Sequence, residues 1–142
     1  MPGYTVLKKR GDFVRLTRCG DTVSTKTLVV QAIRSNLPKR SRKARVGYTT
    51  TKKIGKAHIR NRCRRRLRAA AALWFRKYSM PNFDYAIIAR YNTAEADFEE
   101  LCKDLVYALK KIRRKIRLED KIRFEERKHE KENAENAVPV PD

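Results

Sequence analysis

The nine residues from Arg60 to Arg68 hold six arginines, one asparagine and two apolar side chains, and they run on into Ala69-Ala70-Ala71-Ala72. On a helix at about 100° per residue, Ile59, Cys63, Leu67, Ala70 and Trp74 fall within an arc of roughly 80°. Arg60, Asn61, Arg64, Arg65 and Arg68 sweep the neighbouring arc of roughly 140°. One face can therefore be buried while the face beside it stays densely cationic. No acid occurs between Asp21 and Asp84 to neutralise that face. A helix that needed charge only for solubility would mix its signs, and the planar fork of arginine suits phosphate oxygens and stacks on bases. The segment from Ala57 to Tyr78 is thus predicted to be a helix that docks nucleic acid.

Length and charge narrow the reading further. At 142 residues and 41% apolar content the chain has material for one domain with a modest core. The net charge of +20 belongs to the front of the chain: residues 1–116 carry 30 Lys/Arg against 8 Asp/Glu, whereas 117–142 carry 6 against 8. Such a field attracts polyanions. No run of about 18 apolar residues and no secretory apolar stretch is present, so a cytoplasmic protein without a membrane partner is expected. Cys19, Cys63 and Cys102 are odd in number and widely spaced, and His58 and His129 lie far apart. Reduced thiols and no metal site are expected.

Local patterns give the order α-β-β-β-α-β-α, an α+β sandwich with a small four-stranded sheet and helices packed on it. Lys8 to Arg18 forms a short basic helix stopped by Gly20. Thr22 to Arg34 is β-branched strand, with room for a turn dividing it in two, and Arg45 to Thr51 is another strand. The basic stretch from Ser35 to Lys43 between them is a loop. Met80-Pro81-Asn82 ends the arginine helix, and Phe83 to Arg90 is a buried strand. Asn92-Thr93 is expected to cap the last helix, whose Phe98, Leu101, Leu105, Ala108, Ile112 and Ile116 recur at core spacing. The domain is placed at residues 1–117. Beyond it, 118–142 reads as a charged helical extension that becomes disordered from residue 133.

Catalytic constellations are lacking. Asp12, Asp21 and Asp84 form no spaced carboxylate pair, and no glycine-rich phosphate loop appears. The chain reads as a binder that assists chemistry done elsewhere.

The stretch Arg45-Val46-Gly47-Tyr48-Thr49-Thr50-Thr51-Lys52-Lys53-Ile54-Gly55-Lys56-Ala57-His58-Ile59-Arg60-Asn61-Arg62, followed by Arg64-Arg65-Arg66-Leu67-Arg68, resembles the signature of the bacterial ribonuclease P protein component. Asp12-Phe13 and Asp84-Tyr85-Ala86-Ile87-Ile88-Ala89-Arg90 extend the likeness over roughly residues 7–116. The resemblance implies an endoribonuclease ribonucleoprotein in which a large RNA subunit is the catalyst. That RNA removes the 5′ leader of precursor tRNA, with magnesium ions held mainly by the RNA and the substrate, and this protein is the helper. It also implies a fold like that of a small-subunit ribosomal protein domain, with a left-handed β-α-β crossover where right-handed ones are general.

Site residues follow from the same resemblance. Lys52, Lys53, His58, Arg60, Asn61, Arg62, Arg64, Arg65 and Arg68 take the positions that bind the RNA subunit, through phosphate contacts that hold shape without reading bases. Phe13, Arg15, Gln31 and Arg90 take positions at the cleft for the single-stranded leader, where a ring stacks on a base and cations follow the backbone. Relatives can carry aromatics where this chain has Thr17 and Gln31, and Phe13 is equally readable as core. A structural RNA-binding protein, such as a ribosomal one, is the competing class. It shares the charge and size but does not require the Lys52–Arg62 run. A helix-turn-helix DNA binder is disfavoured by the strands on either side of the basic helix. Oligomeric state and preference among precursor tRNAs have no signature here.

Overall fold

In a computed structural model, which describes residues 4–36 and 43–136, the chain forms a sheet with helices on both faces. The elements are β1 (Tyr4–Val6), α1 (Arg10–Cys19), β2 (Asp21–Ser24), β3 (Leu28–Arg34), β4 (Ala44–Thr49), α2 (Ala57–Tyr78), β5 (Phe83–Ala89) and α3 (Phe98–Asn136). The sheet order is β1-β4-β5-β3-β2. It has five strands where four were expected. The addition is β1, three residues that pair in parallel with β4, Tyr4 against Ala44. A strand this short carries too little alternation to show in sequence.

Alternation along the strands sorts side chains onto two faces. Leu28, Val30 and Ala32 of β3, Val46 of β4 and Tyr85 and Ile87 of β5 point toward α2 and α3 and form the larger core. Ala86 joins Leu7 and Leu16 in a smaller core under α1. Parallel β4 and β5 are neighbours joined through α2, the β-α-β unit that the resemblance implies. The chain turns out of α2 through Asn82 at φ 64°, a left-handed conformation that asparagine tolerates. The Tyr85 hydroxyl accepts the Met80 N–H there at 2.9 Å, and burial pushes this phenol up to about 12.

Three expectations change. The buried side of α2 is Cys63, Leu67, Ala70, Ala71 and Phe75, rotated by about 45° toward the arginines. Trp74 is only half buried. The cause is β1: Phe75 packs edge-on against Tyr4 and Tyr85, each at 5.0 Å between ring centroids. Second, Thr93 does not cap α3, which begins at Phe98. Its buried hydroxyl instead donates to the Thr27 carbonyl at 2.6 Å and accepts the Arg90 N–H at 2.7 Å. Third, α3 continues beyond residue 117 as the helical extension expected there but stays helical to Asn136, past residue 133 where disorder was expected. Most of the basic loop, 37–42, and residues 137–142 lie outside the described residues.

Candidate nucleic-acid interface

Gly55 sets the entry to the arginine helix. Its φ of 146° is one that side chains rarely adopt, and it closes a 3-10 turn, Lys52–Ile54, on which Lys52 and Lys53 stand exposed. At the start of α2 the Ile59 and Arg60 N–H groups bond the Lys56 carbonyl, and no acid stands in the first turn to compete with an incoming anion at this positive helix end.

His58, Asn61, Arg64, Arg65 and Arg68 line one open depression of about 540 Å3 on α2. Arg64 donates to Asn61 Oδ1 at 2.9 Å, and the Arg68 guanidinium lies 5.6 Å from the centre of the Tyr48 ring. These contacts hold two cations in place on otherwise open surface. Arg60 is half buried, and its Nε has no hydrogen-bond partner among the described residues. Arg62 is differently employed. Its Nε donates to the Ala94 carbonyl at 2.8 Å, and Arg66 donates to the same carbonyl at 2.8 Å and to that of Ala96. Both arginines tie the segment ahead of α3 to α2, so Arg62 stands apart from the depression where its neighbours converge.

A second hollow, of about 430 Å3, opens on the α1 face of the sheet, bordered by Phe13, Thr17, Gln31, Tyr48, Ala86 and Arg64 among others. Its floor follows from register. Gln31, Ala86 and Gly47 are directly paired across β3, β5 and β4, and the two small residues leave space above the sheet. Phe13 is both core and cleft: its ring lies over Gly47, and its other side faces the hollow. Lys8 and Arg10 add cations at the rim. Tyr48 supplies an aromatic edge that sequence reasoning passed over, because it belongs to a strand whose other alternate residues are core. Burial raises its phenol well above the usual tyrosine range, so it remains a neutral ring and hydroxyl.

The cleft does not gather every expected residue. Arg15 donates to Asp84 Oδ2 at 2.6 Å and to the Arg34 carbonyl at 2.7 Å, away from the hollow. Asp84 is wholly buried and also receives Arg45 Nε at 2.7 Å and a second Arg45 nitrogen at 2.6 Å. Asp12 lies 3.5 Å from Arg45. The hydrogen bond that Arg45 donates to Asp84, opposed by desolvation, raises the Arg45 pKa further. Arg15 is thus part of a buried ion cluster that fastens α1 to the sheet. Arg90 sits one residue past β5, outside the residues that border the hollow.

Chemically, both surfaces carry cations that suit a polyanion. Asp84 accepts three hydrogen bonds from Arg15 and Arg45, which leaves it poorly suited to a metal ion or to proton transfer, and Asp12 faces the same Arg45 at 3.5 Å. Arg64 borders the depression and the cleft alike, because the rotation of α2 turns it toward the end of the sheet.

Known proteins resemble this chain in sequence and in fold. The family model described as Ribonuclease P matches residues 1–113. The ribonuclease P protein component of Paramagnetospirillum magneticum is 38% identical over 107 residues, covering 75% of this chain and 80% of its own. That of Ruegeria pomeroyi is 40% identical over 111 residues, covering 78% and 87%. The solved RNase P protein of Staphylococcus aureus aligns with a TM-score of 0.62 at 26% identity, covering 74% of this chain and 92% of that one. With its arginine helix, its cleft and its sheet order all inside the matched region, the chain belongs to the ribonuclease P protein family.

Proposed function

We propose that the depression on α2 holds the catalytic RNA of ribonuclease P and that the neighbouring cleft takes the single-stranded 5′ leader of precursor tRNA. As a ribonuclease P protein component, the chain assists 5′ leader removal within an endoribonuclease complex. In this reading the protein is not the catalyst. Bond cleavage and the magnesium ions that serve it belong to the RNA and the substrate, since the paired carboxylates Asp12 and Asp84 offer no comparable donor set.

The observation that carries the reading is the position of Arg64 between the two surfaces. One cation there neutralises phosphates of both strands, so RNA subunit and leader are drawn together at the end of the sheet. Phe13 stacks on a leader base while Lys8 and Arg10 follow its backbone. Arg65, Arg68 and His58 fix the RNA subunit by shape.

The test is cleavage of precursor tRNA by the cognate catalytic RNA at low magnesium, with and without the protein. Stimulated leader removal is expected. Properly folded components that show no stimulation would instead favour a purely structural RNA-binding role.

A further inference from the structure

The extension beyond the family match, residues 118–136, is nearly balanced in composition yet sharply sorted in space. At about 100° per residue, Lys121, Arg123, Arg127, Lys128 and Lys131 occupy one arc of roughly 160°. Phe124 lies inside that arc and is 69% exposed. Glu119, Glu125, Glu126, Glu130 and Glu132 occupy the opposite arc of roughly 160°. Two acids, Asp120 and Glu135, fall on the basic side by the same geometry, and of these Asp120 is paired with Arg34 from the end of β3. Its charge is therefore cancelled where the basic arc begins. Arg34, Arg123, Phe124 and Arg127, with the paired Asp120, border a hollow of about 330 Å3 at this junction.

Geometry sets this arc far from the surfaces already described. Arg34 ends β3 and Ala44 begins β4 at the same end of the sheet, while α2 starts beyond the other end, after Thr49. Lys115 pairs with Asp21 at 3.4 Å, so α3 leaves the body at the Arg34 end. Continuous with the core-packed part of α3, the extension runs about 28 Å further as a fixed arm.

We propose that the basic arc of this arm, centred on Phe124, is a second docking surface for the catalytic RNA subunit. The inference rests on the proposed function for the presence of that RNA. Cations on one side and acids on the other orient the arm, which meets a phosphate backbone with one face only. Phe124 offers its ring to an unpaired base between Arg123 and Arg127. A ligand that engages both the arginine helix and this arm must be polyanionic along much of the length of the molecule. The RNA subunit satisfies that, whereas a leader of a few nucleotides in the cleft does not.

The test measures binding of the catalytic RNA to the full chain across a salt series. One variant combines Arg123→Gln, Arg127→Gln, Lys128→Gln and Lys131→Gln; its control combines Glu119→Gln, Glu125→Gln, Glu126→Gln and Glu130→Gln. Glutamine keeps helix propensity, and far-UV circular dichroism verifies equal helicity. The basic-arc variant should flatten the slope of log K against log salt by about three units and weaken binding roughly tenfold or more at physiological salt. The control should bind as tightly as the parent or tighter. An Arg64→Ala/Arg68→Ala variant measured alongside separates the two readings. If that variant loses affinity while the basic-arc variant matches the parent, the arm is no RNA surface. Loss confined to precursor tRNA also overturns the proposal.

Discussion

The Phe13 ring lies directly over Gly47, so closely that a Cβ added at Gly47 would come within 2.2 Å of Phe13 Cζ and 2.5 Å of Cε1. The glycine is required by the ring rather than by backbone conformation. Gly47→Ala should therefore push Phe13 out of place and act on the leader cleft at one remove. Phe13→Ala is expected to weaken binding of leader-bearing precursor tRNA to the assembled complex by about 1–3 kcal/mol, with little effect on mature tRNA. In a double-mutant cycle Gly47→Ala should cost far less when Phe13 is already alanine. Equal losses for substrates with and without leader would contradict a cleft role for Phe13.

Arg64 and Arg65 separate the two surfaces. Arg65→Ala should lower affinity for the RNA subunit alone, and Arg64→Ala should lower it for RNA subunit and leader together. Arg60, Arg64 and Arg68 changed jointly to alanine should flatten the salt dependence of RNA-subunit binding by about two to three units. A slope and affinity equal to the parent's would remove the docking role from this helix.

Core truncations should divide along the observed seam. Leu67→Ala and Phe75→Ala are each expected to cost about 2–5 kcal/mol, seen as lowered midpoints in circular dichroism melts. Trp74→Ala should cost less, because that side chain is half exposed beside α3. The reverse ranking would put the seam back where periodicity alone places it.

Asp84 anchors Arg15 and Arg45, and its removal strands two cations over a buried site. Asp84→Ala should destabilise the protein by about 3–5 kcal/mol in denaturant titration. Arg15→Ala should lower stability by less and leave leader affinity unchanged for the folded fraction. A selective loss of leader binding in Arg15→Ala would return that residue to the cleft.

Where information is local, the sequence was sufficient. The bounds of α2, Ala57 to Tyr78, agree with the periodic pattern, and the Pro81-Asn82 turn follows it as expected, with Asn82 left-handed. Gly20, by contrast, ends α1 in an extended conformation at φ −77°, where the close Leu16 carbonyl rather than a left-handed backbone excludes a side chain. The run from Arg45 to Arg68 was enough to reach the family, since short motifs survive where tertiary contacts are unknown. What a side chain faces depends on its partners, and those come from distant chain. β1 draws Phe75 inward and rotates α2, which brings Arg64 to the cleft and leaves Trp74 outside. Asp84 takes Arg15 away from the cleft on the α1 face, and Ala94 takes Arg62 away from the depression on α2. Identical arginines thus divide into ligand-facing and structural ones according to which carbonyl or carboxylate the fold delivers to them. A buried acceptor left unpaired costs more than an exposed cation gains, so packing decides which cations remain free for a ligand.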